Sequence, residues 1–421
     1  MEDVIVINGK RKLKGEVKIS GSKNATVALI PAAIMGNAPV TIVGVPGISD
    51  VNSLSQILKE LNVAVDMVKE DHLIIDPTNM QNIVLNSPYV SKLRASYYLM
   101  GALLGKYKQV KMQMPGGCYL GPRPIDLHLK GFEALGAKIE FEKGYYVIKA
   151  QELIGNKIFL DISSVGATIN IMLAAVYAKG RTTIENAAKE PEIIDVSSML
   201  NKMGAKIRGA GTGVITIDGV EELGGCFHEI IPDRIESATF LIIAAAAAEE
   251  LKITNIIPQH IESLISKLKD MNVNMEVGVD YIKVTSSSNL LAVDVQTKPY
   301  PGFATDIQQP LVSLLTQATG NSKVIETIYP ERFKNCLELQ RMGAEIEVGR
   351  GECEVFGPSE LYGSVVTATD LRCGAALVVA GLIASGETVI REIYHIDRGY
   401  ENLDQKLAAI GASIHREKRE F

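Results

Sequence analysis

The feature that most constrains this chain is a pattern that returns six times. Six segments read LKELNVAVDM (58–67), FEALGAKIEF (132–141), LNKMGAKIRG (200–209), LKDMNVNMEV (268–277), LQRMGAEIEV (339–348) and LAAIGASIHR (407–416). Each is a helix-like stretch closing on an apolar residue, then Gly or Asn, then Ala or Val, and running into a short alternating strand. The third residue of the closing tripeptide falls at Val63, Ala137, Ala205, Val273, Ala344 and Ala412, separations of 74, 68, 68, 71 and 68 residues. So regular a period defines a repeated supersecondary unit. The Gly or Asn has a physical reason: a left-handed residue just past the last helical turn satisfies orphan carbonyls, and these two residues adopt that conformation cheaply.

Upstream of each closing helix lies a second, alanine-rich one: ALIPAAIMG, YLMGALLGK, IMLAAVYAKG, FLIIAAAAAEE, LVSLLTQATG and LVVAGLIASG. A β-type run follows each of these, as in PVTIVG and QVKMQM. The unit is therefore helix–strand–loop–helix–strand, with one helix apolar all round and one amphipathic. Helices that are apolar on every side belong inside. The expected fold class is α/β, with two inside-out domains of three repeats each, helices within and sheets outside.

A chain of 421 residues exceeds one ordinary core, so six units divide as three plus three. The first domain is predicted at 23–230 and the second at 1–22 plus 231–421, because the strand-like runs VIVING and LKGEVKIS match the closing strands of a unit. Two chain crossings would then lie side by side as a hinge, with an active-site cleft between the domains.

Composition narrows the function. Apolar residues are 47% and charged residues 22%, the balance of a soluble globular protein. Net charge is −6 with no basic tail, which argues against nucleic acid. The longest apolar run, TFLIIAAAAA (239–248), is about half a membrane span, and the N-terminus carries no uninterrupted apolar stretch. A cytoplasmic protein without membrane contact is expected. Five cysteines, an odd number, point to reduced thiols. Neither they nor the six histidines fall in metal-ligand spacing, and no structural metal is predicted.

Three groups of residues stand out as chemistry. In MPGGCYLGPRPIDLH (114–128), glycines and prolines surround Cys118, with Arg123 and His128 near in sequence as cations that would lower a thiol pKa. This is either a reactive thiol or an incidental one in a surface loop. The other four cysteines sit in helix, strand or turn patterns and read as core or bystander. Arg94, Arg123, Arg332, Arg372 and Arg398 lie beside loop ends or helix starts, and Lys23-Asn24 begins the first apolar helix. Singly, each is an ordinary salt-bridged or solvated side chain. Together they suit a small, multiply anionic ligand, since guanidinium forks match carboxylate and phosphate oxygens. Asp306 in YPGFATDIQQP and Asp370 in ATDLR precede apolar helices, so each is a helix cap or a functional carboxylate. GAGTG (209–213) lies between strand-like runs and reads as a hairpin turn rather than a dinucleotide fingerprint.

These segments resemble the UDP-N-acetylglucosamine 1-carboxyvinyltransferase family over essentially the whole chain. The resemblance runs through SGSKNA (20–25), LRAS (93–96), PGGCYLGPRPIDLH (115–128), SVGATIN (164–170), ENAAKEPEI (185–193), PDRIE (232–236), TDIQ (305–308), ERF (331–333), ATDLR (368–372) and HIDRGYE (395–401). PGGC followed by GxRPxDxH is its most specific part. The shikimate-pathway relative shares the architecture but lacks the loop cysteine, and a substrate-binding paralogue without turnover would have lost Cys118, Asp306 or Lys23.

The resemblance implies phosphoenolpyruvate and UDP-N-acetylglucosamine as substrates, with no cofactor. It implies that Lys23, Arg123 and Arg398 hold the phosphate of phosphoenolpyruvate, with Arg94, Arg332 and Arg372 completing the cationic cavity. Asn24 and Asp306 would contact the sugar. Pro124, Asp126, Leu127 and the Ser164-Val165-Gly166 backbone would line the nucleotide pocket, with Ile328 on the sugar–diphosphate side. Asp306 would be the base at the 3-hydroxyl. Cys118 would be the acid at C3, the site of a phospholactoyl adduct and the target of fosfomycin. Three positions depart from the commonest pattern: Ile162 where lysine is frequent, Ala304 where proline is frequent, and Pro330 where an acidic residue is common.

Overall fold

All six predicted helix endings close in the same way. In the computed structural model, which describes residues 1–116 and 125–421, Asn62, Gly136, Gly204, Asn272, Gly343 and Gly411 all have positive φ. The following residue then folds its N–H back onto a carbonyl five positions earlier. The bonds are Val63 to Leu58, Ala137 to Phe132, Ala205 to Leu200, Val273 to Leu268, Ala344 to Leu339 and Ala412 to Leu407, each 2.9–3.0 Å. This is the Schellman closure, and it turns the chain sharply into the outer sheet.

The six apolar helices are α1 (Lys23–Ala33), α2 (Tyr98–Tyr107), α3 (Val165–Ala175), α4 (Arg234–Ala247), α5 (Thr305–Leu315) and α6 (Leu371–Ile383). They are buried almost throughout; in α6 every residue from Leu371 to Leu382 is buried. Each fully buried Leu or Ile contributes about 1.5–3 kcal/mol through apolar surface removed from water. The companion helices, such as Ser49–Glu60 and Glu262–Asp270, bury one stripe only.

The chain forms two compact units with separate cores. The N-terminal unit comprises 21–116 and 125–231, and holds α1 to α3. The C-terminal unit comprises Met1–Ser20 and Pro232–Phe421, and holds α4 to α6. Among the described residues there are five four-stranded sheets and one three-stranded sheet. Strand Glu2–Asn8 lies between Glu387–Arg391 and Ser413–Arg419, antiparallel to both. Strand Leu13–Lys18 runs parallel to Ala248–Thr254.

The sheets are richer than the repeat pattern suggests. Five of the six closing helices lead into an antiparallel hairpin, as in Ala64–Lys69 with His72–Asp76, and the last leads into Ser413–Arg419, which pairs with Glu2–Asn8. The first strand of that pair is exposed along most of its length, so its sequence carries little burial signal. GAGTG forms the turn between Lys206–Arg208 and Val214–Asp218, which pair antiparallel.

Helix direction fixes where function can sit. Lys106, at the end of α2, donates from Nζ to Ile34 O (2.8 Å) and Gly36 O (2.6 Å), just past α1. Tyr177, just past α3, donates to Met35 O. The three helices of the N-terminal unit thus end at one pole, and being of similar length they begin together at the other. In the C-terminal unit the starts of α5 and α6 meet through the Asp306–Arg372 pair.

Candidate active site

In the N-terminal unit, α1 begins at Lys23. The Ser22 hydroxyl caps it, accepting from Ala25 N (3.2 Å). Lys23 Nζ lies 3.3 Å from Asp50 Oδ2; the lysine side chain is 15% exposed and the aspartate 4%. Asn24 follows on the first turn. Arg94 opens a 3-10 turn, Arg94–Tyr97, that leads into α2, and its guanidinium sits 5.8 Å from the Tyr97 ring centroid. Ser164 caps α3 by accepting from Ala167 N (3.2 Å), and Val165 and Gly166 form its first turn. A Cβ at Gly166 would lie 2.8 Å from Tyr97 Oη and 2.9 Å from His128 Cε1, so only glycine fits there. Asp126 and Leu127 open the helix Asp126–Ala134, exposed and half-buried respectively.

His128, on that same helix, is not the cation its sequence position suggested. It is buried, and Asn170 Nδ2 donates to its Nδ1 (3.0 Å). Asn170 is oriented by its other bonds: Oδ1 accepts from Gly101 N (2.8 Å), and Nδ2 also donates to Tyr97 O (2.9 Å). The ring proton therefore belongs on Nε2. Burial, reinforced by the charge of Arg94, lowers the His128 pKa to about 3, so the ring is neutral at ordinary pH.

In the C-terminal unit, Asp306 sits in the first turn of α5. It is not the cap: that position is Ala304, which makes no side-chain cap bond. Its carboxylate faces two guanidiniums instead. Arg332 Nη1 donates to Oδ1 (2.8 Å), and Arg372 Nη2 lies 3.4 Å from Oδ2. The arginine side chains are 4% and 3% exposed, the aspartate 26%. Asp370 takes the other role, capping α6 by accepting from Arg372 N (2.9 Å) and Cys373 N (3.1 Å). Burial opposes the charge on Arg372, but Tyr400, Asp306 and Asp233 outweigh it and raise its pKa.

Arg332 Nε is buried without a hydrogen-bond partner among the described residues. A buried unpaired donor beside a second buried guanidinium is a place for an anion. Ile328 lies in the loop before Arg332, its N–H donating to Glu326 Oε1 (2.8 Å). Arg398 follows the short helix Tyr394–Asp397, which packs on α6.

Cys118, Arg123 and Pro124 lie outside the described residues. Of the remaining cysteines, Cys336, Cys353 and Cys373 are buried and Cys226 is half-buried. Burial pushes the Cys373 thiol up to about 12 and raises that of Cys226, while contact with Cys353 and burial together raise Cys336. None of these three is primed as a nucleophile. Asp50 and Glu326 were not singled out in the sequence, and Asn170 and Thr305 lie in quoted segments without a role of their own. Asp50 carried a hint as an acidic residue in the first turn of the next helix, and Glu326 carried none.

No helix among the described residues is long and apolar enough to cross a membrane. A family model described as EPSP synthase (3-phosphoshikimate 1-carboxyvinyltransferase) matches residues 7–407. The chain is 57% identical over 418 residues to UDP-N-acetylglucosamine 1-carboxyvinyltransferase 2 of Geobacillus kaustophilus, covering 99% of this chain and 97% of that one. It is 55% identical over 416 residues to the protein of the same name from Listeria monocytogenes, covering 99% and 98%. Among solved structures, the enolpyruvyl transferase NikO from Streptomyces tendae matches with a TM-score of 0.90 at 26% identity over 99% of both chains. EPSP synthase from Acinetobacter baumannii shares the fold, with a TM-score of 0.75 at 18% identity over 99% of this chain and 100% of that one.

Proposed function

The chain belongs to the EPSP synthase family of carboxyvinyl transferases, and we propose that it moves the enolpyruvyl group of phosphoenolpyruvate onto the 3-hydroxyl of UDP-N-acetylglucosamine. Phosphate is released, and the product is committed to peptidoglycan synthesis. The acceptor is the one named by relatives 57% and 55% identical over nearly the whole chain. The observation that carries the reading is the Asp306 carboxylate held between two buried guanidiniums, one with a buried donor unpaired.

The chemistry needs those parts. The sugar oxygen attacks C2 of the enolpyruvate as the C2=C3 electron pair takes a proton at C3. The hydroxyl proton goes to a base, and Asp306 is that base. Cys118 is the acid at C3, and the same thiol takes a phospholactoyl or fosfomycin adduct. The tetrahedral intermediate then loses a C3 proton, the double bond re-forms and the C2–O bond to phosphate breaks. Arg332 and Arg372 stabilise the anionic centre and the departing charge.

Lys23, Arg94, Arg123 and Arg398 hold phosphate oxygens, and Asn24 the sugar. Pro124, Asp126, Leu127 and the Ser164-Val165-Gly166 turn receive the nucleotide, with Ile328 at the sugar–diphosphate side. The Ser164-capped start of α3 supports that last role, because a helix N-terminus offers unpaired N–H groups to a diphosphate. A cytoplasmic setting accompanies this activity.

The test is phosphate release from phosphoenolpyruvate with UDP-N-acetylglucosamine or shikimate 3-phosphate supplied in parallel. Release with the nucleotide sugar alone is expected. Release with shikimate 3-phosphate alone would overturn the acceptor and keep the donor, while silence with both would leave a binding protein.

A further inference from the structure

We propose that Glu326 is a positioning residue for proton transfer, acting through the Thr305 hydroxyl to fix how Arg332 meets Asp306. This rests on Asp306 being the base. Glu326 follows strand Gly320–Ile325 and is 2% exposed. Its Oε1 accepts from Thr297 Oγ1 (2.8 Å), Ile328 N (2.8 Å) and Tyr329 N (3.0 Å), and its Oε2 from Thr305 Oγ1 (2.9 Å). Because Thr305 spends its one proton on Glu326, its oxygen is left to accept, and Arg332 Nη1 donates to it (3.0 Å). That same nitrogen donates to Asp306 Oδ1 (2.8 Å).

A carboxylate only accepts, so Glu326 dictates the direction of each bond in the chain Glu326–Thr305–Arg332–Asp306. It also holds the loop that carries Ile328, and Tyr329, whose ring centroid lies 5.7 Å from the Arg332 guanidinium. An amide at 326 cannot reproduce this. With its nitrogen toward Thr305 the hydroxyl loses its acceptor; with its nitrogen toward Ile328 and Tyr329, two N–H groups meet a third donor. The first arrangement frees the Thr305 hydroxyl to turn away from its set direction and the second loosens the loop that carries Tyr329 against Arg332, although the side chain at 326 keeps its shape. Among the described residues, Arg332 and Arg372 from α6 pair with Asp306; Tyr400 and Asp233, at the cap of α4, act in turn on Arg372, and Glu326 acts on Arg332 through Thr305.

The experiment compares Glu326→Gln, Thr305→Val, Thr305→Ser and Asp306→Asn in the full-length enzyme. The readouts are kcat, KM for each substrate, the pH dependence of kcat and the melting temperature. Glu326→Gln and Thr305→Val are expected to lower kcat on the order of 10-fold, and Thr305→Ser to restore it. In the two impaired variants the acid limb of the pH profile should move up by about one unit, because Asp306 loses part of its cationic partner. If Glu326→Gln fails to fold, the Thr305 pair decides the matter alone. Folded Glu326→Gln and Thr305→Val enzymes with wild-type kcat and pH profile, beside an inactive Asp306→Asn, would overturn the positioning role and leave the base intact. Normal turnover by Asp306→Asn would instead remove the base itself, and the positioning role with it.

Discussion

The two units repeat one architecture, yet they finish the starts of their interior helices in opposite ways. In the N-terminal unit, α1 and α3 are capped by Ser22 and Ser164, α2 follows Tyr97, and none of the three has an acidic residue in its first turn. In the C-terminal unit, Asp233 caps α4, Asp370 caps α6 and Asp306 lies in the first turn of α5. A serine cap satisfies the backbone and leaves the positive end of the helix dipole uncompensated; an aspartate cap satisfies the backbone and neutralises it. The N-terminal unit is thus suited to receive phosphates, whereas the C-terminal unit has already filled its helix ends with carboxylates and sets guanidiniums against them. The same fold thus leaves its helix starts without acidic groups in one copy and pairs carboxylates with guanidiniums in the other.

The largest effect expected from this division is on turnover. Asp306→Asn should lower kcat by about 10² to 10⁴ while leaving UDP-N-acetylglucosamine affinity within a few-fold. Lys23→Gln should act mainly on the KM for phosphoenolpyruvate. Steady-state kinetics and calorimetric titration of both variants check the contrast. A change in KM alone for Asp306→Asn, or in kcat alone for Lys23→Gln, would erase the proposed roles of Asp306 as the base and Lys23 as a phosphate anchor.

A second contrast concerns protons. The N-terminal unit keeps His128 neutral among Asn170, Tyr97 and Arg94, with a pKa of about 3 against an ordinary value of 6.5. Between those values the unfolded chain binds a proton that the native ring does not, so stability falls as pH falls from 6.5 towards 3. Chemical denaturation at pH 6 and pH 4 should show the native enzyme losing about 2–3 kcal/mol more than His128→Asn over that interval. Equal losses in the two proteins would mean that the ring accepts a proton in place, and that the unit is less strictly neutral than its hydrogen bonds require.

The fold was legible because its signals are local. Asn62, Gly136, Gly204, Asn272, Gly343 and Gly411 each mark a helix end by their own backbone freedom, and the positive φ at all six follows from sequence alone. The sequence names candidate site residues but says little of how they are arranged. Asp306 and Asp370 look alike in sequence, each an aspartate ahead of an apolar helix. One caps and the other pairs, and the difference is made by arginines 26 and 66 residues away from Asp306. His128 read as a cation because its partner Asn170 is 42 positions distant. Glu326 gave no signal, since a carboxylate that serves four donors looks in sequence like any acidic residue after a strand.

The finest test exchanges the caps. Ser164→Asp keeps a side-chain oxygen for Ala167 N and adds a charge that the helix start itself favours, so folding stability should hold or rise by about 0.3–1 kcal/mol. The same charge would face the diphosphate: two unit charges about 5 Å apart repel by roughly 3 kcal/mol at an effective dielectric near 20. Allowing for screening, affinity for UDP-N-acetylglucosamine should weaken by about 10-fold, with the melting temperature unchanged or higher. Asp370→Ser makes the reverse exchange in the C-terminal unit. A hydroxyl replaces the carboxylate that accepts from Arg372 N and Cys373 N, at an expected cost of about 0.5–1 kcal/mol in stability. Nucleotide-sugar affinity should stay within about 2-fold. Opposite responses of stability and affinity in the two variants would establish that cap chemistry sorts the units. Parallel responses would mean that the side chains around the helix starts, and not the helix ends themselves, decide which unit receives the anion.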